Sequence, residues 1–337
     1  MRLGIKVAFY EVNQAGGVHG RRLELKTMDD SYETDYALHT TRRLIEKVGV
    51  FALIGAVGTP MTRVSSPLAH EAGVPFLAPF TGAEFLRDPG LHNVVNLRAS
   101  YYQETEEMIA RLTEDLGVSR VAVFYQDDSF GANGLEGVRR ALELRGLEPV
   151  GAWDYQRNSG AVRQAASSLV ELDPEAVVLI GTQDAVASTI KLVSRDIRPV
   201  FMTVSFVGGT ALAKAVEGHG RGVYVTQVVP FPEDASLPVV ADYHAALARY
   251  DPSEEPGFVS LEGYLAGRLA IFGLEACGRE LSRECFMDSL NTTGVIDLDG
   301  FQLKFGPNDN QGSDSVFLTV VGADGEYRQV DRLDRQY

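Results

Sequence analysis

Three observations predict an α/β fold of two doubly wound, Rossmann-like lobes. Strand-sized apolar runs alternate with amphipathic helical segments through residues 51–228, the pattern of parallel sheets covered on both faces. The alternation amounts to about ten units, more than one twisted sheet usually carries. It then stops at Pro230-Phe231-Pro232, a stiff extended segment suited to a crossing. The helices beyond it have no strands between them and need a sheet elsewhere to cover, for which the first lobe is the natural host.

The chain opens on an amphipathic helix over 1–14, with Leu3, Val7 and Tyr10 at helical spacing, stopped by Ala15-Gly16-Gly17. Leu23, Leu25 and Thr27 alternate as in a strand. Asp29, Asp30 and Ser31 offer caps to a helix over 32–47, whose face carries Ala37, Leu38, Thr41, Leu44, Ile45 and Val48.

Residues 50–86 then repeat one design twice. A strand (51–54, then 75–78) runs into a small-residue turn bearing a hydroxyl, Thr59 and then Thr81, expected at the start of the next helix. A helix N-terminus presents unpaired N–H groups and partial positive charge. Two such ends side by side would hold a small anion such as a carboxylate; the plainer alternative is that both threonines are N-caps.

Strands are expected over 94–97, 121–125, 149–153, 176–180, 200–203 and 223–228, and helices over 101–116, 135–145, 161–172, 184–195 and 210–216. The loop 126–134, QDDSFGANG, links the strand at 121–125 to its helix. Helices over 237–250, 257–277 and 283–290 follow the crossing. Strands close the chain, with turn signals at Asp299-Gly300 and Asp324-Gly325.

The length of 337 residues fits about two domains. The 45% hydrophobic and 23% charged content is that of a soluble globular chain. A net charge of −15 opposes nucleic acid or an anionic membrane surface as partner. No apolar run has transmembrane length, and Lys6 and Glu11 interrupt the first segment, which is no signal sequence. The two cysteines, Cys277 and Cys285, are either buried thiols in a reducing compartment or a disulfide across a helix–turn–helix in an oxidising one.

Motifs for catalysis, metals and cofactors are missing: no GxSxG, HExxH, P-loop or GxGxxG. Asn308-x-Asn310-x-Gly312 lacks the closing acid of a calcium loop and reads as a polar turn. No catalytic residue, metal site or cofactor is therefore expected. What remains is a set of polar and aromatic residues at predicted strand ends, where open α/β sheets bind ligands: Gly58, Thr59, Phe80, Thr81, residues 127–130 with Phe130, residues 182–184 with Gln183 and Asp184, and Ser205-Phe206. Each has a structural alternative as a core or capping residue.

KVAFYEVNQAGGVHGRRLEL, IGAVGTPMT, VPFLAPFTGAEFLR, VAVFYQDDSFGANGLEGVRRAL and GFQLKF, in this order and spacing, resemble the type I periplasmic binding proteins of the leucine/isoleucine/valine-binding branch, the solute receptors of ABC importers. The resemblance covers nearly the whole chain. It implies two lobes joined by three crossings that close on ligand like a flytrap: residues 1–118 plus 230–312 as the N-terminal lobe, 119–229 plus 313–337 as the C-terminal lobe, and the ligand cleft between them.

Position by position, the resemblance implies that Thr59 and Thr81 bind a ligand carboxylate and that Phe130 covers the ligand. Ser205 falls near a position where leucine-binding members carry a glutamate for the ligand's ammonium. Gln183 falls near a tyrosine of those members. Carboxylate recognition carries over. A counter-charge for an α-amino group would have to come from Asp184, Asp128 or Asp127, because an unpaired buried ammonium is costly.

Family members also begin with a strand and glycine-rich loop before the first helix; the expectation is an upstream strand and export signal in the full gene, the given chain lacking that first strand.

The implied function is an extracytoplasmic solute receptor, periplasmic or extracellular, binding an amino acid or related small carboxylate. Its partners would be ABC permease and ATPase subunits, with no nucleic acid and no membrane insertion of this segment. The alternatives are a ligand-sensing regulator of the same fold and an α/β enzyme.

Overall fold

A computed structural model describes residues 1–207, 209–216, 218, 222–322 and 324–334. The chain divides into two compact units. The first comprises Met1–Thr81, Phe85–Ala99 and Val229–Asp314; the second comprises Gly82–Glu84, Ser100–Val228 and Ser315–Tyr337. The sequence reading put the first crossing after Val118. The boundary here falls after Ala99, because the helix 101–116 packs on the helix that follows it.

The first unit holds a parallel three-stranded sheet, β1 (Leu53–Ile54), β2 (Phe76–Leu77) and β3 (Val94–Val95), in that order. Its helices include α1 (Arg2–Gln14), α2 (Thr34–Arg43) and α3 (Thr59–Glu71). α2 continues into a π-helical turn, Leu44–Val48, that ends on the left-handed Gly49. The apolar residues Leu53, Ala69, Val74, Phe76, Leu86 and Val94 form the core under this sheet.

Residues 23–27, expected as a strand, lie outside any ladder. The Asn13 side chain brackets Leu23 instead, accepting its N–H at 2.8 Å and donating to its C=O at 2.9 Å. Between residues 21–26 and 50–54 lies a groove of about 450 Å³, with Phe9, Leu25, Leu44, Leu274 and Phe286 among its walls.

The second unit is built on a seven-stranded sheet. Its elements in chain order are α4 (Tyr101–Leu116), β4 (Val121–Gln126), α5 (Ser129–Glu143), β5 (Gly151–Tyr155), α6 (Arg163–Leu172), β6 (Ala176–Ile180), α7 (Gln183–Val193), β7 (Val200–Thr203), α8 (Gly209–Ala215) and β8 (Val223–Gln227). The strands order β5-β4-β6-β7-β8, all parallel. α4 starts on a full capping box: Ser100 Oγ accepts the Gln103 N–H, and the Gln103 side chain accepts the Ser100 N–H.

The remaining helices belong to the first unit: α9 (Pro238–Tyr250), α10 (Phe258–Ala276) and α11 (Arg283–Thr292). A disulfide, Cys277–Cys285, staples the turn between α10 and α11, deciding between the two open readings of these cysteines. β9 (Val295–Leu298) and β10 (Phe301–Lys304) form a hairpin through Asp299 and Gly300, both at positive φ. In the second unit β11 (Phe317–Val321) adds antiparallel to β8, and β12 (Tyr327–Val330) to β11.

Candidate functional site

The sequence-predicted residues form two groups, one in each unit. In the first, the chain leaves β1 and turns at Gly58, whose φ of 91° is left-handed. A Cβ at Gly58 would stand 2.5 Å from Tyr32 Cε2 and 3.0 Å from Met61 Cε, so the turn accepts only glycine. Gly58 is the N-cap of α3, and no side chain caps that helix. Thr59 is the first helical residue, not a cap.

The Thr59 hydroxyl meets the Thr81 hydroxyl at 2.7 Å, both side chains being buried. One must donate to the other. The two turns are tied together: Gly58 N–H donates to Phe80 O at 3.2 Å, and Phe80 N–H to Ala56 O at 2.8 Å.

One expectation is corrected at Thr81. It does not open a helix: its N–H donates to the Pro79 carbonyl at 2.8 Å in a tight turn. The next helical residues are a 3-10 turn, Glu84–Arg87. The site therefore has one helix N-terminus with two hydroxyls on it, not two helix ends. The second copy of the design fails because this short-range turn, following Ala78 at φ 43°, takes the N–H that a helix end would present.

Behind this group lies a charge the sequence reading missed. The Arg98 guanidinium sits 4.8 Å over the Phe80 ring, and its Nε is 3.2 Å from Glu262 Oε1 of α10. Both side chains are almost fully buried. Sequence signal for it was thin: an arginine between the buried 94–97 run and the helix cap at Ser100.

In the second unit the sheet order reverses between β4 and β6, the position where open α/β sheets bind ligands. α5 starts earlier than expected, at Ser129, because Asp128 caps it. Asp128 Oδ1 accepts Phe130 N–H at 2.8 Å and Gly131 N–H at 3.4 Å, and Oδ2 accepts from Gln126 Nε2 at 2.6 Å. Burial pushes the Asp128 carboxyl above its usual range, against the lowering effect of these bonds and of Arg157. Tyr155 Oη accepts Thr182 N–H at 2.8 Å and donates to Gln126 Oε1 at 2.9 Å.

Phe130, fully buried in the first turn of α5, packs at 5.3 Å between ring centroids against Tyr101 and at 4.9 Å against Phe206. Ser205, at the end of β7, donates through Oγ to Glu104 Oε1 at 2.9 Å and through N–H to Glu104 Oε2 at 2.8 Å. Thr226 Oγ1 donates to the same Oε2 at 2.5 Å. Glu104 is fully buried on α4.

Gln183 and Asp184 open α7 at the end of β6, half-buried and exposed respectively. Among the described residues no hydrogen bond joins them to the Phe130–Ser205 group. Asp127 is exposed, and Asp128 is committed to its cap. Of the carboxylates here, Glu104 touches Ser205, and the sequence reading had not singled it out. Among the described residues no group of three or more His, Cys, Asp or Glu could hold a metal ion, and no helix is long and apolar enough to cross a membrane.

A family model described as "Periplasmic binding protein" matches residues 1–326. The chain is 27% identical over 165 residues to Leu/Ile/Val-binding protein homolog 7 of Brucella abortus (strain 2308), a match spanning 46% of this chain and 41% of that relative's length. It is 22% identical to homolog 8 of the same strain, over 96% of this chain and 83% of the relative. The structure of a possible leucine/isoleucine/valine-binding protein from Rhodopirellula baltica SH 1 superposes with a TM-score of 0.93 at 33% identity, covering 98% of this chain and 90% of that one.

Proposed function

We propose that this chain, which belongs to the periplasmic binding protein family, binds an amino acid or related small carboxylate and hands it to the permease and ATPase subunits of an ABC importer. The family is one of non-enzymatic solute-binding proteins. The observation that carries the ligand class is the buried Thr59–Thr81 hydroxyl pair at the start of α3. The helix end supplies N–H donors and partial positive charge beside the two hydroxyls, which together suit a carboxylate.

In this reading Gly58 gives the backbone its close approach and Phe80 seats the Thr81 turn. Phe130 covers the ligand. Gln183, Asp184 and Ser205 meet its remaining groups. The protein works outside the cytoplasm. Its Cys277–Cys285 disulfide fits an oxidising compartment, as does the membership of a family whose members are periplasmic or extracytoplasmic.

The test is a thermal-unfolding screen with amino acids and with aliphatic and aromatic carboxylates. A ligand present at about 100 times its Kd should add roughly 2.7 kcal/mol of stability. If no carboxylate raises the midpoint, the proposal fails.

A further inference from the structure

We propose that the cleft between α6 and α7 of the second unit is a further binding site, and that it takes a small organic monoanion: a carboxylate with a short branched apolar tail. The inference does not rest on the reading of Thr59 and Thr81, and every residue in it belongs to one unit. Arg163, Ala166, Ser167 and Val170 follow one another at helical spacing on one face of α6. Leu192, near the end of α7, and Arg195 and Asp196, just beyond it, complete the lining. α6 and α7 pack side by side, and these residues line an open cavity of about 300 Å³.

The lining sorts by depth. Ala166 is buried, and Val170 and Leu192 are half-buried against the core of the unit. Arg163, Arg195 and Asp196 are exposed and stand at the mouth. Among the described residues none of these three makes an ion pair, whereas Arg111 and Arg145 of the same unit each meet a glutamate at 2.7 Å. α6 carries no acid in its first turn to offset Arg163.

Two guanidinium groups against one carboxylate leave the cleft an excess of one positive charge, in a chain whose total is −15. A guanidinium presents a planar fork of donors that fits a carboxylate, and it is weakly hydrated, so it sheds water at little cost. One carboxylate matches the excess charge. A second would meet Asp196 as a like charge, and a cation would meet both arginines. The apolar floor selects among monoanions: a bare carboxylate leaves Val170 and Leu192 wet, while a branched tail covers them. A cavity of this size stands at the lower end of those that hold small molecules, which keeps the tail short.

The experiment uses the full chain labelled with nitrogen-15 and follows the arginine Nε–Hε signals by NMR. Both guanidinium side chains are exposed, so Arg163→Lys and Arg195→Lys assign the two signals without disturbing the fold. The probe is 4-methylpentanoate, set beside acetate (no tail), isobutylmalonate (two charges) and 4-methylpentylamine (opposite charge). 4-Methylpentanoate should move both signals along one saturating curve and bind at least tenfold tighter than acetate or isobutylmalonate. The amine should move neither. Arg163→Gln should abolish the response of Arg195, and Arg195→Gln that of Arg163. Val170→Ser should bring 4-methylpentanoate down toward acetate and leave acetate unchanged.

Equal affinity for acetate and 4-methylpentanoate would mean an unselective cationic patch and overturn the inference. So would the absence of saturation at either arginine, or an Arg195 response that survives Arg163→Gln unchanged. The double variant Thr59→Val with Thr81→Val keeps the two proposals apart. It should leave this titration as in wild type, whatever becomes of the ligand assigned to those threonines. A response of Arg163 and Arg195 that disappears in that variant would be relayed from the first unit, and the cleft would then be no site of its own.

Discussion

The Thr59 and Thr81 hydroxyl oxygens lie 2.7 Å apart although 22 residues separate them in sequence. Each hydroxyl is a partner of the other, so removing either one takes this hydrogen bond from the one that stays. Thr59→Val and Thr81→Val should each weaken a carboxylate ligand by about 1–3 kcal/mol. The double variant should lose less than the sum, because both changes break the same hydroxyl–hydroxyl bond. Titration of the four proteins with one ligand measures this. Additive losses, or none, would mean the two hydroxyls act independently or only pack.

Arg98 is the support of that pair. Its guanidinium stacks on Phe80, whose backbone ties the two turns, and pairs with Glu262 in the interior. Arg98→Met removes the cation beside a buried carboxylate and should cost about 3–5 kcal/mol of stability. Arg98→Met with Glu262→Met replaces the pair by apolar side chains and should recover most of it. Urea unfolding midpoints report both. If the single variant is as stable as wild type, the pair has no such role.

Much of the fold was legible because it rests on local pattern. The capped helix 101–116 and the apolar run at 176–180 stand as read. Gly58 was not legible as the cap: threonine is the better capping side chain, and only the left-handed φ and the nearness of Tyr32 reserve that position for glycine. Glu104 was illegible for a different reason. In YYQETEEM it is one acid among several on a helix, and its burial is imposed by Ser205 and Thr226, more than 100 residues away. The strand expected at 23–27 failed on the same ground, since alternation marks an extended segment but does not supply a paired neighbour.

The Cys277–Cys285 bridge closes a short loop between α10 and α11. By the loop-closure estimate a link across so few residues stabilises by about 2–3 kcal/mol. Reduction with dithiothreitol, or Cys277→Ser with Cys285→Ser, should therefore lower the unfolding midpoint. Ligand affinity should be unchanged, because no candidate site residue lies in that loop. A midpoint indifferent to reductant would show the bridge is not formed in the protein as isolated.

Asp128 gives the pH dependence its sign. Burial raises its carboxyl pKa above the usual 3.8 in the folded protein, so the folded state holds that proton more tightly than the unfolded chain does. The stability this contributes is fully present below pH 3.8 and is lost as pH rises through the raised folded value. Asp128→Asn keeps an oxygen to accept the Phe130 and Gly131 N–H groups while removing the charge. It should flatten the stability profile over that window and equal or exceed wild type at pH 7. Asp128→Ala removes the cap itself and should cost about 1 kcal/mol at every pH. Chemical unfolding of the three proteins between about pH 3.5 and about pH 7 separates the two effects: a wild-type profile no steeper than that of Asp128→Asn would show that the buried charge at α5 carries no penalty.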